Sequence, residues 1–167
     1  ANEIVGSIQD GKTSLRIPLQ KKEQLYGFGL NFQTVHQRGK ILNLHVDHYG
    51  GKDNGRTHAP VPFYISSLGY GVFINSARYL TVYAGSGARK DSPNAPVAKD
   101  RNTDKTWTAS PYSDAVSILV PAPGAEIYIF AGPTPMDVIR RYNLFCGGGT
   151  LPPRWGLGFT QRTQKLY

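Results

Sequence analysis

The sequence predicts a mostly β protein: an antiparallel β-sandwich followed by one helix and one further strand. Three observations carry that expectation. Short apolar runs, rich in β-branched and aromatic residues, recur between Leu15 and Ala131 and are separated by clusters of Gly, Pro, Asn and Asp. The chain has 167 residues, enough for one sizeable core, and its 40% hydrophobic content places it outside the disordered classes. The last third then changes its hydrophobic period from that of a strand to that of a helix and back again.

Taken in order, the candidate strands are Leu15 to Leu19, Ile41 to Val46, Val61 to Ser66, Gly71 to Asn75, Tyr79 to Tyr83, Ala115 to Val120 and Ala125 to Ala131. Clusters of Gly, Pro, Asn and Asp, the residues of turns, separate them. Many short strands with frequent turns mean sheet packed on sheet.

A helix follows. Thr134 suits the N-cap, Pro135 suits the first helical position because its missing N–H would have had no partner there, and Asp137 favours the positive end of the dipole. Val138, Ile139, Tyr142 and Phe145 form one apolar stripe, with Arg140 and Arg141 mostly off it. Gly147-Gly148-Gly149 stops the helix. These glycines lead away from a helix toward Pro152-Pro153, so they read as a C-cap and connector, not as a phosphate cradle.

Leu151 to Phe159 reads as a second buried strand. A final apolar strand with nothing behind it cannot be covered on both faces, so it is expected to open a further domain. The predicted organisation is a sandwich over 1–131, a connecting helix and Gly-rich linker over 132–150, and the start of another domain over 151–167.

Several function classes are excluded by what the sequence lacks. The net charge is +8, but the basic residues are scattered among Asp91, Asp100 and Asp104, as on a solvated surface, and no nucleic-acid signature accompanies them. His45, His48 and His58 match no standard zinc spacing and read as solvated loop residues, so no metal is expected. Phe32 stands where a dinucleotide fingerprint needs its third glycine, no nucleophile elbow occurs, and no cofactor is expected. The lone Cys146 reads as a small buried hydrophobe. No run of residues is long and apolar enough to suggest a membrane span. A signal peptide cleaved before Ala1 would leave no trace, so secreted and periplasmic destinations are both compatible with the sequence.

The chain also resembles the N-terminal part of glycoside hydrolase family 31, the α-glucosidase and α-xylosidase family. Gly132-Pro133-Thr134-Pro135 and Leu151-Pro152-Pro153-Arg154-Trp155-Gly156-Leu157-Gly158-Phe159 carry the likeness, with Leu25-Tyr26-Gly27-Phe28-Gly29, Pro62 to Ser66 and Gly69 to Ser76 upstream. Leu30 departs from it, standing where the family usually has Glu. The resemblance implies a galactose-mutarotase-like sandwich packed against a (β/α)8 barrel, with Leu151 to Phe159 as the first barrel strand. It further implies retaining hydrolysis of an α-glycosidic bond by two Asp residues on later barrel strands. No catalytic residue is therefore expected within this chain.

The long polar stretch from His45 to Ala59 exceeds what a hairpin needs, and such loops commonly carry function. In the resembled family the equivalent loop reaches the barrel's mouth and Asp47 takes the place of an Asp that touches sugar hydroxyls. Asp47, His48, Tyr49, Arg56 and His58 are thus candidate substrate contacts, and Gln161 and Arg162 would stand at the barrel's mouth. For Asp47 the competing role is to cap a turn. The implied partners are an oligosaccharide or α-glycoside and the barrel of the same protein. A second expectation is self-association through the exposed edge of Leu151 to Tyr167. The competing reading is an independent carbohydrate-binding module, with Tyr26, Tyr49, Tyr64 and Tyr70 as its aromatic groove.

Overall fold

The computed structural model describes residues 3–31, 34–47, 57–86 and 112–158. Nine strands are described: β1 (Val5–Gln9), β2 (Lys12–Pro18), β3 (Leu25–Gly29), β4 (Lys40–Leu44), β5 (Pro60–Ser66), β6 (Tyr70–Asn75), β7 (Leu80–Ser86), β8 (Tyr112–Val120) and β9 (Glu126–Ala131). They form a five-stranded sheet, β1-β2-β8-β7-β4, and a four-stranded sheet, β3-β5-β6-β9, with every pairing antiparallel. This is the expected sandwich.

Strand period explains the core. Leu15 and Ile17 on β2, Leu42 and Leu44 on β4, Leu80, Val82 and Ala84 on β7, and Val116, Ile118 and Val120 on β8 all fall at alternate positions and are all buried. They meet Leu25, Phe28, Tyr64, Val72 and Ile74 of the other sheet in one continuous cluster. Burying a side chain of this size is worth about 1.5–3 kcal/mol, which is why the alternation fixes register.

Two strands lie outside the expected set. β1 pairs with β2 through the Asp10-Gly11 turn, where both residues have positive φ, 51° and 70°, the requirement of a type I′ hairpin. All five of its residues are exposed, so it carries no buried face for a hydrophobic pattern to reveal. β3 holds the glycine pair Gly27 and Gly29, and its pairing with β5 shifts register between them. A Cβ on Gly29 would lie 2.1 Å from the Ala59 carbonyl oxygen, so backbone approach, not ligand binding, demands that glycine.

The second face of the four-stranded sheet is aromatic and is covered by helix α1 (Pro135–Phe145). Val138 is fully buried there, and Tyr142 stacks on Phe63 with ring centroids 3.8 Å apart and planes within 4°. Phe145 adds ring contacts with Tyr128 and Phe130. Thr134 caps the helix as expected, accepting from the Asp137 N–H at 3.3 Å.

The segment after the helix departs from expectation. Over the described part of Leu151 to Phe159 the chain forms a short 3-10 helix, Arg154–Leu157, and no strand. A strand exists only through its neighbour's hydrogen bonds, and no described strand lies beside this segment; the Gly156 N–H closes locally on the Pro153 carbonyl at 2.8 Å instead. Leu151, Trp155 and Leu157 are 94%, 85% and 73% exposed, so this apolar surface is uncovered. Cys146 is also exposed, contrary to the buried position expected, because it falls on the C-cap beyond the ring contacts of Phe145. Two strand ends also shorten: β4 stops at Leu44 and β7 begins at Leu80, leaving Val46 and Tyr79 outside the ladder.

Candidate functional site

The polar loop springs from a fixed base. Where β4 ends, Val46 makes an isolated parallel bridge with Thr57: the Asp47 N–H donates to the Thr57 carbonyl at 2.9 Å and the Thr57 N–H to the His45 carbonyl at 3.3 Å. Thr57 is 1% exposed and its hydroxyl donates to the Leu30 carbonyl. The Leu30 N–H donates in turn to the Ala59 carbonyl at 3.1 Å. Entry and exit are therefore clamped to each other and to the chain leaving β3. The two ends of the loop are thus fixed in position on the sandwich.

Of the candidate contacts, this clamp brings together Asp47 and His58, one at each end of the loop, with Asp47 partly buried and His58 exposed. His48, Tyr49 and Arg56 lie outside the described residues, as do Gln161 and Arg162.

Four other described carboxylates have structural work. Asp10 forms the hairpin turn, Asp114 pairs with Arg16 at 2.9 Å, Glu126 accepts from Asn75 Nδ2 at 2.5 Å, and Asp137 sits at the helix cap. Hydrogen bonding from Thr134 is the main cause holding the Asp137 carboxyl below its ordinary range.

Glu23 was not singled out by sequence reasoning and proves to be the most buried carboxylate described, at 2% exposed. Its Oε1 accepts from Ser66 Oγ and from the Tyr70 hydroxyl, both at 2.5 Å, and its Oε2 accepts from the Gln20 N–H at 2.8 Å. Arg38 donates to the Gln20 and Glu23 carbonyls beside it. Burial, followed by the bond to Glu23, pushes the Tyr70 hydroxyl's pKa well up, so it stays a donor. The cluster ties the approach to β3 onto β5 and β6. Its only signal in the sequence is a Glu two residues before an apolar strand, which many surface turns share.

One expectation for an aromatic groove fails here: Tyr64 is fully buried against Phe28, with ring centroids 5.1 Å apart. Tyr70 is partly buried, with its hydroxyl held by Glu23. Tyr49 lies outside the described residues, and Tyr26 is left partly exposed beside His36. Among the described residues no three His, Cys, Asp or Glu groups gather as metal ligands would, and no helix is long and apolar enough to cross a membrane.

Two antiparallel sheets, an aromatic outer face covered by a capped helix, and one clamped polar loop define a β-sandwich of the galactose-mutarotase-like class. Residues 3–82 match the glycosyl hydrolase 31 N-terminal galactose mutarotase-like domain. It is 28% identical over 136 residues to an alpha-xylosidase of Lactiplantibacillus pentosus, covering 81% of this chain and 15% of that protein. It is 25% identical over 150 residues to an alpha-xylosidase of Emericella nidulans, covering 90% of this chain and 16% of that protein. A dextranase of Flavobacterium johnsoniae, solved with glucose, has the same fold at a TM-score of 0.67 and 22% identity, over 92% of this chain and 16% of that one. The chain thus spans about 15% of the length of these relatives.

Proposed function

We propose that this chain is the N-terminal domain of a retaining α-glycosidase and that it supplies a loop to the substrate pocket without supplying catalytic groups. The observation that carries the reading is the clamped His45-to-Ala59 loop on a domain of this family. A loop pinned through Thr57 to Leu30 can hold Asp47 at a fixed place, so its carboxylate can accept from sugar hydroxyls with little ordering cost. His48, Tyr49, Arg56 and His58 share that loop as further contacts.

The chemistry requires a nucleophilic carboxylate and an acid–base carboxylate about 5 to 5.5 Å apart. These belong to a (β/α)8 barrel that residues 151–167 begin, with Gln161 and Arg162 at its mouth. The exposure of Leu151, Trp155 and Leu157 supports this division, since a buried barrel wall would cover them. The substrate is an oligosaccharide or α-glycoside bound between loop and barrel.

The test is Asp47→Ala in the complete enzyme. A lost charged hydrogen bond predicts a fall in kcat/KM worth roughly 1.5 to 3 kcal/mol with little change in folding. Unchanged kinetics would remove Asp47 from the pocket.

A further inference from the structure

We propose that the groove at the foot of the loop, between Tyr79 and Arg78 on one side and Val46 on the other, is a subsite for one pyranose unit of an oligosaccharide. This rests on the glycosidase reading and extends it to residues of the β6–β7 turn. The register of β4 on β7 pairs Leu44 with Leu80, so one residue further on His45 comes opposite Tyr79. Their ring centroids are 4.0 Å apart, with the planes tilted by 59°. That contact props the tyrosine ring while leaving it 63% exposed.

The groove encloses about 170 Å³ and has an apolar floor of Leu44, Leu80 and Pro62. Its rim is polar. Arg78 is exposed and has no carboxylate partner among the described residues, and its N–H donates to Ser76 Oγ at 3.2 Å, fixing the turn that presents it. A pyranose ring has an apolar C–H face and a rim of hydroxyls. An aromatic plate meets the first, and the fan of guanidinium donors meets the second. An exposed tyrosine on an aliphatic floor beside an exposed arginine suits that amphipathic shape better than it suits a purely apolar side chain. Val46, a wall of this groove, is adjacent in sequence to Asp47, so a chain of sugars held by the loop can continue across Tyr79.

The experiment titrates the 167-residue chain with isomaltotriose and follows backbone amide resonances by NMR. Shifts are expected at His45, Val46, Arg78 and Tyr79, with weak affinity. Tyr79→Ala should reduce binding by about tenfold or more and Arg78→Ala by severalfold, while Tyr79→Phe, which keeps the plate, should retain most of it. Both positions are exposed, and dispersed core resonances report whether each variant folds. Should Tyr79→Ala unfold, Arg78→Ala decides the matter, and unchanged affinity there overturns the subsite. Absence of shifts at these amides, or shifts indifferent to Tyr79→Ala, also overturns it. Shifts confined to residues 47–58 would overturn the subsite while leaving the loop reading standing, and the Asp47→Ala kinetics test that reading separately.

Discussion

Glu23 shows how much one buried side chain can commit. Three donors from separate parts of the chain, Ser66 Oγ, the Tyr70 hydroxyl and the Gln20 N–H, converge on its carboxylate. Removing the acceptor strands all three, and an unsatisfied buried donor costs more than a hydrogen bond gains. Glu23→Ala is therefore expected to destabilise the domain by roughly 2 to 4 kcal/mol in urea unfolding, and Glu23→Gln by less, since its amide oxygen still accepts. Equal stability of Glu23→Ala and the parent would mean that the cluster is replaced by water at no cost. Asp47 differs in kind: it stands at the mouth of a loop, and its substitution is expected to be read in kinetics, not in unfolding.

Helix α1 owes its start to local chemistry and its place to packing. Thr134 accepts from the Asp137 N–H, and its hydroxyl donates to the Asp137 carboxylate at 2.5 Å. Thr134→Ala should cost about 1 kcal/mol through the lost cap. It should also let the Asp137 carboxyl rise back toward its ordinary value of 3.8, because the Thr134 hydrogen bond is the main cause of its depression. The sign follows from linkage: a carboxyl depressed on folding stabilises the native state above its unfolded pKa and loses that contribution as pH falls through the folded one. The carboxylate's share of the cap's benefit is therefore present at neutral pH and fades below about pH 4, which a carboxyl-detected NMR titration of both proteins would reveal. The 3-10 segment is the opposite case. It makes no ladder and buries none of Leu151, Trp155 or Leu157, so cutting the chain after Gly149 should raise solubility and leave the sandwich's thermal transition within a few degrees. If the shortened chain unfolds, that segment belongs to the sandwich and the proposed boundary near Leu151 is wrong.

At the scale of the whole molecule, Asp10, Glu23, Asp114, Glu126 and Asp137 are each held in a turn, a cap, an ion pair or a hydrogen bond, and the domain fold is that of a module borne by enzymes roughly six times longer. The purified chain is expected to hydrolyse no aryl α-glycoside above background, since binding and pocket walls cannot replace a nucleophile and a proton donor. Turnover that co-purifies with the chain and disappears on changing one of its own residues would refute the proposal that the domain supplies no catalytic groups.

How much of this was legible in the sequence varied with burial. Strands with a regularly alternating buried face declared themselves: Leu15 and Ile17, Leu42 and Leu44, Val116 and Ile118 alternate because water drives one face inward, whereas in β3 the buried Leu25 and Phe28 stand three apart around Gly27. Thr134 and Pro135 marked the helix start within a residue, because capping is chemistry between near neighbours. The motifs likewise placed the chain in its family. β1 gave no such sign because nothing on it is buried, and the Asp10-Gly11 turn alone could not outweigh that silence. The apolar Leu151 to Phe159 run looked like a strand from its composition, yet a strand needs a partner that composition does not specify. The clamp from Thr57 to Leu30, the Glu23 cluster and the facing of His45 with Tyr79 join residues 27, 43 and 34 positions apart respectively. Local patterns determine which groups turn inward and where elements begin; which distant groups meet is decided only when two sheets pack, because that packing alone closes the intervening chain.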